Sequence, residues 1–459
     1  MVNIALIPID NRPVCYTLPE QISKIDSNIQ LFLPPREMLG DLKKIADING
    51  ILNWLKNIEN IDKVIISLDT VAHGGLIPSR RSLDSFDDIK NRIENLKNIL
   101  VEKNAQVYAF SSIMRISNNN VNEEEKEYWN LYGEKIFKYS FEMHKNNNAQ
   151  TDVPEEIIND YLNTRKRNFE INKEYLKWAQ EGFFDTLVFS KDDCAEYGLN
   201  VKEANELQKI IKEKKLNALV KTGADEIPLS LLSRAITKNK TVKIFPTFTE
   251  PDYVDKISKY EDVSVFESVK GQIELAGCQV SFDEDDADIV LLVNNFQNEQ
   301  GELVMGVDVK GFDQKLKLPN KSFLIADIRN ANGADNNFVD ELFKQNIDKD
   351  LFLGYAAWNT TGNTLGSLLC CGLVKFLANK PDELAFDRVQ MVRFLDDWAY
   401  QANVRKALKQ EYTKINIKAL SEKMKSYEEI IRKKFCMNFE KISYDFPWNR
   451  FFEIEVVIS

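Results

Sequence analysis

The sequence predicts an α/β fold on a mostly parallel sheet, either (β/α)8-barrel-like or Rossmann-like. Three observations predict it. Short apolar or β-branched runs recur along the chain, amphipathic stretches alternate with them, and polar clusters follow run after run. Unbroken apolarity marks strands buried on both faces, as in a parallel sheet covered by helices.

The strand-like runs are, in order, "NIALIPI", "IQLFLP", "KVIISL", "QVYAFSS", "TLVFS", "NALVKT", "VKIFPTF", "VSVFES", "IVLLVNN", "SFLIADI" and "LFLGYAA". Stretches such as "DIKNRIENLKNILVEKN" supply crossover helices between them. Residues 117–182 contain no strand-like run and read as a helical insertion. "FDRVQMVRFLDDWAYQANVRKALKQEY" predicts a long helix, and "FFEIEVVIS" a final strand. The expected organisation is an N-terminal α/β part (1–116), the helical insertion (117–182), an α/β catalytic part (183–380) and a helical C-terminal region with a terminal strand (381–459).

Composition narrows the function. The 459 residues are 44 % apolar, enough for a large core, and 29 % charged. A net charge of −11 without a Lys/Arg block argues against nucleic-acid binding, which needs clustered cations. "MVNIALIPID" lacks a basic segment and a long apolar stretch of signal type. No apolar run is long enough to span a bilayer. Six scattered cysteines without a C-x-x-C pair read as reduced thiols, so a cytoplasmic address is expected. With only His73 and His144 in the chain, acid–base chemistry falls to carboxylates.

Position is the main functional signal. "IALIPI" leads to Asp10, Asn11 and Arg12; "KVIISL" to Asp69, His73 and two glycines; "QVYAFSS" to Arg115. "TLVFS" leads to Asp192 and Asp193, with Tyr197 beyond, and "NALVKT" to Asp225 and Glu226. "IVLLV" leads to Asn294 and Asn295, "FLIA" to Asp327, Asn330, Asn332 and Asp335, and "LGYAA" to Trp358, Asn359 and Asn363. Ligands of parallel α/β folds bind outside the carboxyl ends of the strands. Any one cluster is explained by caps and turns. Many of them, rich in Asp, Asn and Arg on one face, point to an enzyme or a small-molecule site.

Asp192–Asp193 is the sharpest candidate. Two close carboxylates do not both ionise cheaply, so one becomes a usable acid. The plainer alternative is one helix cap and one solvated Asp. His73 reads as a proton shuttle or a structural loop histidine. Asp225 and Glu226 read as site acids or as first-turn residues favoured by the helix dipole. Trp358 is either a stacking platform or core. Asp396 and Asp397 read as a solvated helix face beside an aromatic. Nucleotide-binding, nucleophile-elbow and zincin motifs are absent.

"ALIPIDNRPVCYTLP", "VIISLDTVAHGGLIPSR", "SSIMRIS", "KDDCAEYG", "TGADEIPLSLLSRA", "FPTFTEPD" and "AAWNTTGNTLG" together resemble the bacterial family catalogued as domain of unknown function 4127, over essentially the whole chain. "TLVFSKDD", "LLVNN" and "GYAAWNTTGNTLGSLL" are also similar to short motifs of glycoside hydrolase family 84, the retaining β-N-acetylglucosaminidases. That second resemblance implies a (β/α)8 barrel and a mechanism in which the sugar's own acetamide attacks the anomeric carbon. Asp192 would then polarise the acetamide, Asp193 would be the general acid/base, and Asn294, Asn295 or Asn359 would hold hydroxyls. Strand count and spacing depart from that family.

The leading expectation is therefore a glycosidase-like hydrolase that needs no cofactor and acts on a small-molecule or carbohydrate substrate. Two alternatives stand beside it. One is Mg²⁺- or Mn²⁺-assisted hydrolysis or group transfer, with Asp69, Asp192 and Asp327 as ligands. The other is a non-catalytic carbohydrate- or metabolite-binding protein.

Overall fold

The computed structural model describes residues 1–192, 194–437, 439 and 441–458. It forms two compact units. The first comprises residues 1–16, 29–228 and 260–262, and the second residues 17–28, 229–259 and 263–459.

The sheet of the first unit contains β1 (Val2–Ile7), β2 (Ile29–Phe32), β3 (Lys63–Ser67), β4 (Gln106–Ile113), β5 (Thr186–Lys191) and β6 (Ala218–Thr222). Their spatial order is β2-β1-β3-β4-β5-β6, and every pairing is parallel. The central strands are buried nearly end to end, whereas the edge strands β2 and β6 are only half-buried. Ile7, Val64, Ile66, Ala109, Leu187 and Phe189 pack with Ile89, Ile93 and Leu96 of the helix Phe86–Lys103. Ser85 opens that helix by a capping box with Asp88, satisfying donors that helix starts leave unpaired. Within 117–182 lie the helices Trp129–Lys145 and Glu155–Gln180, with a small core of their own around Trp129, Ile136 and Tyr161.

The second unit contains β7 (Lys243–Phe248), β8 (Gln279–Val280), β9 (Ile289–Asn294), β10 (Gly301–Glu302), β11 (Phe323–Asp327), β12 (Asn330–Ala331), β13 (Phe352–Ala356), β14 (Ile442–Asp445) and β15 (Glu455–Ile458). Its main sheet runs β13-β11-β9-β7-β8, again all parallel. Leu291, Val293, Leu324 and Ala326 pack against Leu365 and Leu369 of the helix Thr361–Leu377. The expected terminal strand is β15, antiparallel to β14.

Neither main sheet closes on itself among the described residues. The two readings left open by the sequence resolve to open, Rossmann-like sheets rather than one barrel. Read in chain order, both sheets contain the arrangement 2-1-3-4-5 of doubly wound folds.

Two sequence expectations need correction. "VSVFES" is not a strand. Ser264 accepts a hydrogen bond from the Glu267 amide at 3.3 Å and opens the helix Val265–Leu275, so a Ser-x-x-Glu start outweighs β-branched propensity. Asp396 and Asp397 are not a solvated face, being 4 % and 0 % exposed. They lie in a π-helical segment, Phe394–Val404, joining the helices Glu383–Arg393 and Arg405–Glu411. The wider turn directs both acids inward, where Asp397 accepts from the Ala357 amide at 2.7 Å. Among the described residues, no helix is long and apolar enough to cross a membrane.

Candidate functional site

In the first unit the strand order reverses between β1 and β3. Crossovers leave such a point toward opposite faces and open a crevice at the carboxyl ends of the strands. Just past β1, Asp10 and Arg12 are buried. Arg12 donates to Asp10 Oδ2 from Nε at 3.0 Å and from Nη2 at 2.7 Å. Its backbone amide donates to Asp10 Oδ1 at 2.9 Å. The same guanidinium reaches Asp225, after β6, through Nη1 to Oδ2 at 3.0 Å and Nη2 to Oδ1 at 2.5 Å. One planar cation thus ties the two ends of the sequence segment 10–225 together, a geometry arginine favours over lysine. Asn11 beside it is engaged through its backbone, with its amide on Gly40 and its carbonyl accepting from Arg36.

Burial pushes the Asp225 carboxyl up against the opposing pull of Arg12, and the charges of Asp10 and Asp192 push the same way. Glu226 is fully buried and folds back so that Oε2 accepts from the Ala224 amide at 3.0 Å. Desolvation raises its carboxyl to about 8, and Asp225 and Glu261 reinforce the shift. Gly223 makes this turn possible. It sits at φ +119°, and a Cβ there would lie 1.7 Å from Glu226 Oε1.

Asp69 lies in the short helix Leu68–Ala72, directly after β3. Its Oδ2 accepts from the Ser112 amide at 2.7 Å, and burial raises it to about 7. His73 is buried too, and desolvation lowers it to about 3 with help from Arg167 and Arg92. Burial thus holds the imidazole in its neutral form.

Asp192 follows β5 and meets two arginines. Arg80 Nη2 donates to Asp192 Oδ2 at 2.8 Å, and Arg115 Nη1 is 3.6 Å from the same oxygen. Both guanidiniums also face the 117–128 segment. Arg115 pairs with Glu124 at 2.7 Å and with Glu125 at 3.3 Å, and Arg80 with Glu125 at 3.4 Å. Asp193 lies outside the described residues. Tyr197 stands apart, its ring packed edge-on against His144 at 5.4 Å and Phe141 at 5.2 Å.

The second unit carries the remaining candidates. Asn294, Asn295 and Asp327 are fully buried. Asn294 Nδ2 donates to Asp327 Oδ1 at 2.8 Å, while Asp327 Oδ2 accepts from the Asp335 amide at 2.8 Å and from Tyr355 Oη at 3.3 Å. Asn295 bonds both backbone polar groups of Glu250, at 2.8 and 2.9 Å. Arg329 binds Glu250 at 3.0 Å and Asp335 at 3.3 Å. These groups brace strand ends. Asp327 is raised to about 7 by burial and by Asp335. Trp358 is 2 % exposed and offers no open stacking face. Asn359 turns the chain at φ +59°, its carbonyl accepting from the Asn332 amide at 2.8 Å. Asn363 is buried in the first turn of the helix Thr361–Leu377, its amide donating to Thr360 Oγ1 at 3.3 Å. Asn330 is half-buried, and its side chain sits where a Cβ on Gly301 would fall.

The expected metal set of Asp69, Asp192 and Asp327 is thus divided between the units, and Asp327 has both oxygens engaged. A different set, Asp10, Cys15 and Asp225, offers ligand atoms within 4.8 Å of one another. Arg12 already lies against both of those carboxylates as their cation. Sequence reasoning missed Arg80, Glu124, Glu125, Glu250 and Arg329. "SRR", after the glycine loop that follows β3, was the available signal for Arg80. Nothing local marks Glu124 or Glu125 among the acids of "NEEEKE".

A family model matches residues 4–457 of the chain, and its description is Protein of unknown function (DUF4127). No curated protein matches it.

Proposed function

The chain belongs to the DUF4127 family, and, since that description names no reaction, we propose from the site itself that the first unit is the catalytic unit of a glycosidase-like hydrolase. One observation carries the reading. Asp10, Arg12, Asp69, Asp225, Glu226 and Arg80, all nine-tenths or more buried, gather with Asp192 and Arg115 at the carboxyl ends of one parallel sheet. Buried ionisable groups are costly, and active sites are where folds keep them.

In this proposal Asp192, oriented by Arg80 and Arg115, faces the sugar and stabilises positive charge growing at the anomeric carbon. Asp193, its neighbour in sequence, gives a proton to the leaving oxygen, and water then adds its hydroxyl to the anomeric carbon and returns its other proton to the Asp193 carboxylate. Glu226 is a positioning residue that holds the turn carrying Asp225. The substrate is a sugar, N-acetylated in the form to be tested first.

The test is release of nitrophenol from aryl glycosides, including β-N-acetylglucosaminide and β-N-acetylgalactosaminide, with and without chelator. The expected result is chelator-resistant release that falls about 10²–10⁴-fold in Asp193→Asn. Full activity in Asp193→Asn would remove it from the reaction. A second reading, a divalent-cation enzyme, draws on the Asp10–Cys15–Asp225 set. It predicts release lost with chelator and restored by Mg²⁺ or Mn²⁺. Saturable sugar binding that Asp192→Asn weakens, without release from any glycoside, would favour a binding protein instead.

A further inference from the structure

The second unit repeats the strand order of the first, so it has a reversal point of its own, between β7 and β9. A cavity of about 210 Å³ lies just past the end of β9, lined by Phe296, Gln297, Asn298, Glu299, Val309 and Lys310. Its walls are tied to three strand ends. Gln297 Nε2 donates to Glu250 Oε2 at 3.2 Å, beyond β7. Arg329 Nη1, beyond β11, donates to the Lys310 carbonyl at 3.2 Å, and Arg329 itself is 1 % exposed. The cavity is therefore set on a rigid, internally satisfied floor at the position where open α/β sheets take ligands.

We propose that this cavity is a binding site for a small, uncharged, polyhydroxylated ligand, separate from the chemistry assigned to the first unit. Size and charge argue for that class. The volume falls below the roughly 300–1,000 Å³ of sites for drug-sized molecules, so the occupant is of monosaccharide size. Both charges on the rim are already matched, Lys310 by Asp313 at 2.5 Å and Glu299 by Lys259 at 2.7 Å. The site thus offers a charged ligand little net attraction. What remains is the amides of Gln297 and Asn298 beside the half-buried Val309, while Phe296, 1 % exposed, belongs to the core. Amides donate to and accept from hydroxyls, and Val309 covers a C–H face. The proposal does not depend on a reaction in the first unit.

Calorimetric titration of the full chain with glucose, galactose, N-acetylglucosamine and, as the charged comparison, glucuronate tests it. The variants are Asn298→Ala, which removes one amide, and Val309→Phe, which fills the cavity. The expected result is saturable binding of at least one neutral sugar, weakened about fivefold or more by Asn298→Ala. Val309→Phe should weaken it too, and melting temperatures of the two cavity variants should stay near wild type. Three results would overturn the proposal: no neutral sugar binding up to tens of millimolar, binding of glucuronate alone, or binding lost in Asp192→Asn but kept in both cavity variants.

Discussion

Arg12 shows how much a single side chain carries. Its guanidinium is the shared partner of Asp10 and Asp225, both buried. Replacing it with methionine keeps much of the volume but leaves two carboxylates unpaired in a dry site. The expected cost is about 3–5 kcal/mol, read as a drop in denaturation midpoint. Glu226 makes the opposite kind of prediction. Its carboxyl is raised to about 8, so between its ordinary value of 4.5 and about 8 the folded state holds a proton that the unfolded chain releases. Stability from this group is complete below the unfolded value and is lost as pH rises through the folded one. Glu226→Gln, which cannot ionise, should therefore be more stable than wild type at pH 9 and close to it at pH 5. An unchanged difference across that range would show that Glu226 titrates normally.

At the scale of elements, turns and caps decide what each strand end presents. Gly223 occupies a backbone conformation that other residues rarely adopt, and its missing Cβ leaves room for Glu226. Gly223→Ala should cost roughly 1–3 kcal/mol through backbone strain. Because it displaces Glu226, it should also lower any turnover, unlike Ser264→Ala. That second change removes a helix cap in the other unit and should cost about 1 kcal/mol with turnover kept. If Ser264→Ala left stability untouched, the cap would contribute nothing to the helix Val265–Leu275. The same elements show what the sequence made legible. Unbroken apolar runs such as "KVIISL" and "IVLLVNN" marked central strands because both faces are covered. "VSVFES" misled because its valines share their register with a capping serine. The acids of the π-helical segment misled because helical periodicity assumes a turn of constant width.

For the whole molecule, the strand-end rule gathered these residues on one face, whereas the structure divides them, 10–12, 69, 115, 192 and 225–226 in one unit and 294–295, 327 and 359 in the other. The sequence could not show what Asn294, Asn295 and Asp327 bond to, because their partners Glu250, Arg329 and Tyr355 are distant in the chain. Global pH dependence follows from the buried acids. Asp69, Asp327 and Asp397 are raised to about 7 and Glu226 to about 8, while His73 is lowered to about 3. Below the ordinary histidine value of 6.5, His73 acts against the acids, since its contribution is lost as pH falls. Above 6.5 only the acids remain, so thermal stability should decline from pH 6.5 to 8. A rise over that interval would mean that these carboxyls are ionised in the fold. The central claim, that the first unit cleaves a sugar with its Asp192–Asp193 strand end, is tested most directly by turnover of the aryl glycoside panel in wild type, Asp192→Asn and Asp193→Asn. Wild type should release the aryl group, and release should drop at least about a hundredfold in each variant while the fold is kept. Release that persists in both variants, or no release from any glycoside, would contradict the claim.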